Sequence, residues 1–229
     1  MTNPSDPPVA VFAPSYALSL AKLVGFLAVV IALVWVIGTR DGPLLFAATL
    51  GLGLIFAHGL ELQHEALHGI LLRGETANRL AGSLLGAPML ASFTDTRVRH
   101  LHHHRHVAVG LIVTGGILAP RLLVFGWLVP AFLIAPPLHF LMTAPEHLGR
   151  DPASRDLTVN TRSYRAPALW SYLVNYDNYH VDHHRYPVLP FHRLPAVHAR
   201  RMGERPGGPG YGAALGEVAA AIAACRRTG

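Results

Sequence analysis

The sequence is poor in charged residues and in cysteine. Asp, Glu, Lys and Arg make up 14% of the 229 residues and the hydrophobic types 51%, whereas soluble chains carry about 25% charged residues. This composition favours a membrane protein of one domain. The single cysteine, Cys225, excludes an internal disulfide and a zinc or iron–sulfur site built from several cysteines.

Lysine is almost absent, and Lys22 is the only one. The net charge of +6 therefore comes from arginine. A basic chain can bind nucleic acid, but this one has no recognisable nucleic-acid motif and no arginine-rich helix, so we expect no nucleic acid partner. The scarcity of lysine is typical of a bacterial protein from a GC-rich genome.

Two apolar runs follow an N-terminal arm. Residues 1–16 are rich in proline and are expected to form a flexible arm. Residues 17–38 are almost entirely apolar, and about 20 such residues cross a bilayer. After the polar turn at 39–43, residues 44–60 return through the membrane, and this helix is expected to continue to His68. The two runs predict a transmembrane hairpin.

A second apolar block occupies residues 107–143 and is broken near Pro120. Residues 122–143 are long enough to span, with a kink expected at Pro136 and Pro137. Residues 107–119 are short for a span. If the histidine clusters on either side of this block share a site, the chain crosses the membrane an even number of times between them. We therefore predict a second hairpin whose first arm is short or tilted.

Residues 80–93 mix small and apolar types, which suits an interfacial segment better than a span. From residue 144 to residue 229 the chain is polar and rich in arginine, and a helix is expected at 212–227. The predicted fold is an all-α integral membrane protein with about four transmembrane helices in two hairpins. Residues 17–229 form one domain in this prediction, with a cytoplasmic helical cap that carries the metal site.

Basic residues predict the orientation in the membrane. In this topology only Arg40 and Arg121 fall on the side opposite the histidines. The positive-inside rule then places every histidine cluster in the cytoplasm. We expect a multi-pass protein of the bacterial cytoplasmic membrane with its site on the cytoplasmic side.

Histidines are concentrated in three clusters beside the apolar runs, namely HEALH at 64–68, RHLHHHRH at 99–106 and HVDHH at 180–184. A helix presents residues i, i+3 and i+4 on one face, and imidazole is a good ligand for iron, zinc and copper. The predicted ligands are His64, His68, His100, His103, His104, His180, His183 and His184. Because zinc takes three or four protein ligands, eight imidazoles predict two metals.

Other residues are placed around this set. His147 follows the last span directly and is the predicted ninth ligand or a close neighbour of the ligands. Groups expected to orient the ligating rings are Glu65, Asp182, Glu146 and Asn160, with Asp95 and Asp177 as further carboxylates beside the clusters. For these carboxylates a solvated surface position is the alternative. Histidines expected outside the ligand set are His58, His139, His102, His106, His192 and His198.

Three segments resemble the three histidine boxes of the membrane fatty acid desaturase superfamily. They are HEALHG at 64–69, RHLHHH at 99–104 and NYHVDHH at 178–184, the last followed by Pro187 and LPF at 189–191. This superfamily includes acyl desaturases, alkane hydroxylases, and carotenoid hydroxylases and ketolases. The likeness extends from His64 to His198 and includes Asn78-Arg79 and Glu146-His147. Many relatives carry an acidic DPD-like segment after the second box, whereas this chain continues with apolar residues from Val107.

The resemblance implies a non-haem diiron centre of two iron ions in a cytoplasmic cap. Dioxygen would be the co-substrate, and a separate electron carrier of the ferredoxin, rubredoxin or cytochrome b5 type would supply two electrons. Desaturation of a lipid acyl chain is the expected reaction. Hydroxylation or ketone formation on a carotenoid, alkane or other hydrocarbon is the alternative, because oxygen rebound instead of loss of a second hydrogen gives an alcohol.

Two unrelated functions remain open. HEALH at 64–68 also matches HExxH, the motif in which two histidines bind zinc and a glutamate acts as general base. An intramembrane zinc protease is therefore the first alternative. That function leaves two histidine clusters unexplained. A histidine-rich metal transporter or sensor is the non-enzymatic alternative, although its ligands would be expected within the spans rather than beside them.

Overall fold

The computed structural model describes residues 13–91, 114–203 and 208–228. In these ranges the chain is helical and contains no β-strand, apart from an isolated bridge between Arg165 and Gly210. The chain forms two compact units, a first unit of Tyr16–His139 and a second unit made mainly of Phe140–Gly229. The first twelve residues of the predicted arm, the central histidine cluster and most of the short arm at 107–119 lie outside the described residues.

Helices α1 (Tyr16–Thr39) and α2 (Gly42–Leu67) are both long and apolar enough to cross a membrane. The 24 residues of α1 give a length of about 36 Å, which exceeds the roughly 30 Å of a hydrocarbon core. Its apolar side chains are largely exposed, as at Ile31 (68%) and Trp35 (58%), and therefore suit contact with lipid. Helices are thus found at both predicted spans, and α2 continues through the first histidine box as expected.

Helix α3 (Glu75–Gly86) and a 3₁₀ turn at Ala87–Met89 follow the first box. At 12 residues α3 is too short to cross a bilayer, and its Leu80 and Leu84 side chains are exposed. The segment therefore has the character expected for an interfacial helix. The indole of Trp127 donates a hydrogen bond to the Pro88 carbonyl oxygen at 2.8 Å and ties the 3₁₀ turn to the next long helix.

Helix α4 covers Pro120–His147 and is the third helix in the described residues that could span a membrane. It contains a π-helical stretch, Val124–Ile134, before it becomes α-helical at Ala135–His147. Pro130 has no amide hydrogen to donate, which interrupts an α-helical ladder, and the Ala135 amide bonds the Pro130 carbonyl in the π-helical pattern. The sequence predicts an irregularity at Pro136 and Pro137, but the π stretch ends just before them.

Close packing at a glycine joins α2 to α4. A Cβ atom at Gly53 would lie 2.3 Å from Ile134 Cγ2 and 2.5 Å from Ile134 Cβ. At the end of the first unit, Arg121 contacts the Asp41 carboxylate and the Ile37 carbonyl oxygen. The start of α4 is therefore held beside the α1–α2 turn, where Arg40 also lies.

The second unit continues with short helices, α5 (Leu157–Asn160), α6 (Ala168–Leu173), α7 (His180–Arg185) and α8 (Leu194–Met202), and ends with α9 (Tyr211–Thr228). The predicted C-terminal helix is thus confirmed. Tyr164 is fully buried among these helices. Its hydroxyl donates to the Met142 carbonyl at 3.1 Å, and its amide donates to the Asn178 carbonyl at 2.8 Å. These bonds connect the end of α4 to the segment before α7.

We expect Gly53→Ala to destabilise the protein, because the added methyl group overlaps the β-branched Ile134 and overpacking costs about 1–3 kcal/mol. The thermal unfolding midpoint in detergent should fall by at least about 2 °C. Gly25→Ala in α1 is the matched control, since a Cβ there meets nothing within 4 Å. Equal midpoints for the two variants would contradict the close packing.

Candidate metal centre

The first histidine box lies at the C-terminal end of α2. His64 and His68 are one helical turn apart, and their Nε2 atoms are 3.0 Å from each other. The helix ends directly after the box, because Gly69 adopts a positive φ of 73° and the Ile70 amide turns back to the Glu65 carbonyl. Burial lowers the pKa of His68. The imidazole therefore favours its neutral form, which is the form that binds metal.

Asn78 on α3 fixes the loop that follows this box. Its carboxamide oxygen accepts a hydrogen bond from the Leu72 amide at 3.0 Å. Its nitrogen lies 2.6 Å from the Leu72 carbonyl and 2.8 Å from the Gly74 carbonyl. Because the side chain is buried, these bonds form without competition from water and hold the exit of the box in one conformation.

Helix α7 carries the third box and brings two of its histidines to His147 at the end of α4. The Nε2 atom of His180 lies 2.7 Å from Nε2 of His147 and 3.1 Å from Nε2 of His184. One ligand atom from each of these histidines lies within 4.8 Å of the other two. His147 thus lies beside the third box in the second unit, and its role as a metal ligand stays a prediction.

Three imidazole nitrogens at these distances do not form a regular hydrogen-bond pattern. Each nitrogen either carries one hydrogen or offers one lone pair, so His180 Nε2 cannot serve both neighbours with separate, well-formed bonds. A cation that accepts three lone pairs suits this group better. An all-imidazole donor set fits iron, zinc or copper. The residues present therefore fit a bound transition metal.

Buried carboxylates lie beside the other ring nitrogens of the third box. Glu146 Oε2 is 3.6 Å from His180 Nδ1. Asp177 Oδ1 is 3.5 Å from His183 Nδ1 and 4.0 Å from His180 Nδ1. Ligating histidines usually direct their second N–H to such a carboxylate, which orients the ring. These separations are longer than an ordinary hydrogen bond, so the orienting role of Glu146 and Asp177 stays a prediction.

Asn160 and Glu65, the other predicted orienting groups, have different surroundings. The backbone of Asn160 hydrogen-bonds the His147 imidazole, while its side-chain nitrogen donates to the Ser154 carbonyl at 2.9 Å. Glu65 is buried, and its charge interacts with that of Lys22 on α1. Asn160 thus contacts the His147 ring through its backbone, a contact that residue type alone does not predict.

Asp182, expected from the sequence to accept a bond from a ligating ring, contacts two residues of α8 instead. Its Oδ2 accepts from His198 Nδ1 at 2.6 Å and from Arg201 Nη2 at 3.1 Å, and its Oδ1 accepts from Arg201 Nε. Burial alone would raise the pKa of Asp182, but the hydrogen bonds from His198 and Arg201 hold it below its usual range. We call this group the Asp182 clamp. Arg201 was not identified from the sequence. Its i, i+3 spacing from His198 indicates that the two side chains share one face of a helix.

A second buried polar group lies among the helices of the first unit and was also missed. Glu61 Oε1 is 3.2 Å from His139 Nε2, and the charge of Lys22 interacts with those of Glu65 and Glu61. The sequence signal is a lone lysine inside an apolar run, together with acids at positions 61 and 65 of the next helix. Ionisable groups within spans are costly and usually functional.

No distances can be given for the second box, because His100, His103 and His104 lie outside the described residues. Their role as ligands stays a prediction, as do the roles of Asp95, His102 and His106. His192 is half-buried, and burial followed by the neighbouring Arg193 lowers its pKa. Neither ring nitrogen of His192 has a hydrogen-bond partner among the described residues.

We expect Asp182→Asn to destabilise the protein and weaken metal binding, because removing one partner of a buried ion pair costs about 3–5 kcal/mol. Thermal unfolding in detergent and metal content after purification measure the two effects. Asp151→Asn is the control, since Asp151 is exposed and accepts only a local bond from the Ala153 amide at 2.9 Å. If Asp182→Asn behaves like Asp151→Asn, the clamp does not hold α7.

Comparison with known proteins gives one family. A family model described as fatty acid desaturase matches residues 41–111 and 107–214, which is well over half of the chain. The matched residues include all three histidine boxes and His147. No curated protein and no solved structure is significantly similar to the chain.

Proposed function

Because this chain belongs to the fatty acid desaturase family, we propose that it is an oxygen-dependent membrane enzyme that introduces a double bond into a lipid acyl chain. Family membership supports an oxidoreductase, and the apolar helices support a membrane location. The observation that carries the proposal is the cluster of His147, His180 and His184 nitrogens within the matched region. An imidazole-only cluster beside buried carboxylates suits a redox metal.

The proposed cofactor is a pair of non-haem iron ions held by nine histidines. They are His64, His68, His100, His103, His104, His147, His180, His183 and His184. When bound, the irons would supply the activation of dioxygen and the removal of hydrogen from an unactivated C–H bond. The chain would supply imidazole nitrogens for this centre, and the carboxylates of Glu146 and Asp177, which lie 3.6 Å and 3.5 Å from ring nitrogens of the third box, would orient its rings.

The overall reaction needs an external reductant. Removal of two hydrogens from the acyl chain, with two electrons and two protons, reduces one dioxygen to two waters. The electrons would come from a carrier protein of the ferredoxin, rubredoxin or cytochrome b5 type. We propose that this carrier docks on the cytoplasmic side, where the positive-inside rule puts the arginine-rich region after residue 144. Arg40 and Arg121 share one end of the first unit, which supports this orientation.

Hydroxylation or ketone formation on a carotenoid, an alkane or another hydrocarbon is the second candidate reaction. The absence of a DPD-like acidic segment after the second box keeps this reaction open, because it weakens the assignment of an acyl substrate. The zinc protease function is disfavoured by Glu65. A general base must reach a metal-bound water, whereas Glu65 is buried and its charge interacts with that of Lys22.

Purified protein should contain about two irons per chain, the number that eight or nine imidazole ligands can hold. His183→Ala and His103→Ala should each lower activity by more than about 100-fold, the upper end of what loss of an outer-shell partner costs. Elemental analysis and oxidation of a lipid substrate with a reducing system measure these effects.

His192→Ala is the matched control for the histidine variants, because His192 lies outside the boxes and should keep both iron and activity. One zinc per chain together with peptide cleavage would rule out the oxidase. Retained lipid oxidation in both box variants would rule out the diiron centre.

The lipids of cells that express the chain should identify the reaction. We expect acyl chains with a new double bond, because the boxes HEALHG and NYHVDHH carry the family resemblance. Mass spectrometry of total lipids, compared with cells expressing His183→Ala, is the measurement. A hydroxylated or ketonised hydrocarbon instead of an alkene would assign the second candidate reaction.

A further inference from the structure

A small basic cavity lies in the second unit, among residues that the metal centre does not use as ligands. Its volume is about 200 Å³, well above the roughly 30 Å³ that one water occupies in the liquid. Its polar lining includes Arg150, Thr161, Arg162, His198 and Arg201. Basic side chains therefore come from the segment after α4, from the residues after α5 and from α8.

Several polar atoms of this lining have no hydrogen-bond partner among the described residues. They are Arg150 Nε, Thr161 Oγ1, Arg162 Nε and His198 Nε2. An unsatisfied buried donor or acceptor costs about 1–3 kcal/mol, so such groups are rare and commonly mark a bound water or ion. Four of them belong to residues that line one cavity, which makes this cavity a candidate site for a polar ligand.

Charge indicates the sign of that occupant. Arg150 and Arg162 share a single carboxylate, since Glu217 Oε2 lies 3.7 Å from Arg150 Nη2 and 2.8 Å from Arg162 Nη2. The Asp182 carboxylate neutralises Arg201. Three arginines therefore face two carboxylates, and one positive charge is left over. Burial, and next the nearby Arg150, lower the pKa of the Arg162 guanidinium, as expected for crowded cations.

The cavity is preorganised. Arg162 Nη1 donates to the Pro145 carbonyl at 2.6 Å, and the Arg162 amide donates to the Glu146 carbonyl at 2.8 Å. Gly208 lies so close to Ser163 that a Cβ atom would be 2.3 Å from the Ser163 carbonyl oxygen. Because these contacts fix the lining in the absence of a ligand, an occupant would pay little ordering entropy.

We propose that this cavity binds a compact phosphate-type oxyanion, through Arg150, Thr161 and Arg162. Guanidinium and hydroxyl donors around residual positive charge match an anion with several acceptor oxygens. A free phosphate ion and the phosphate monoester of a lipid headgroup carry the same chemistry. The basic and polar lining suits the anion rather than an acyl chain.

The test is a titration of the purified, iron-loaded protein in detergent with inorganic phosphate at constant ionic strength, followed by calorimetry. Saturable binding is expected. Arg150→Gln and Thr161→Val should each weaken it about tenfold or more, because each removes a hydrogen bond to a charged ligand. Arg155→Gln removes an equal charge from an exposed position and should leave the affinity unchanged.

Thr161→Val changes no charge and keeps the test decisive if Arg150→Gln fails to fold. The source of the anion is tested in vesicles of phosphatidylcholine with and without phosphatidic acid. Weaker apparent phosphate binding with phosphatidic acid assigns a lipid headgroup, and unchanged binding assigns free phosphate. The proposal is overturned if wild-type protein shows no saturable phosphate binding, or if Arg155→Gln weakens binding as much as Arg150→Gln.

Discussion

The buried carboxylate of Asp182 holds the helix that carries the third histidine box. Helix α7 has six residues, far fewer than an isolated helix needs for stability, so its position is set by tertiary contacts. Asp182 is 0% exposed and bonds His198 and Arg201 of α8. In the same unit, Leu189, Leu194 and Val197 form a buried apolar cluster. The histidines of α7 can face His147 because another residue of the same helix, Asp182, anchors it.

The first box is positioned in a different way. Within lipid every backbone polar group must be bonded inside the segment, which makes a spanning helix continuous and stiff. Helix α2 keeps that geometry from Gly42 to Leu67, so His64 inherits its position from the membrane helix. The one-turn spacing from His64 to His68 follows from the same backbone hydrogen bonds. One box is thus held by a polar clamp and the other by the regularity of a long helix.

Hydropathy and spacing predicted a large part of the fold. The apolar helices α1 and α2, the continuation of α2 to the first box and the helix at the C-terminus all follow from local patterns. His147 could be placed near the third box because it directly follows a span. The contacts of Asp182 with Arg201, and of Glu61 with His139, could not be predicted, since they join residues 19 or more positions apart. Tertiary packing selects such pairs.

Two polar groups contain contacts that the sequence did not predict, namely the Asp182 clamp and the pair of Glu61 and His139. They differ in their surroundings. The Asp182 clamp and the basic cavity share Arg201 and His198. A ligand in the cavity would therefore touch residues that also hold α7. Glu61 and His139 instead lie in helices that could span a membrane, where water does not screen charge and removal of one group strongly affects the other.

The π-helical stretch in α4 affects how its last residues are oriented. A π-helix bonds residue i to i+5 rather than i+4, so each turn contains more residues than in an α-helix. A helical wheel drawn from Pro120 with uniform α-helical rotation therefore assigns Glu146 and His147 to the wrong side of the helix. The direction of these two side chains follows from the α-helical part of α4, which begins at Ala135. Deleting one residue within Val124–Ile134 would rotate His147 about the helix axis while leaving its own α-helical turns intact.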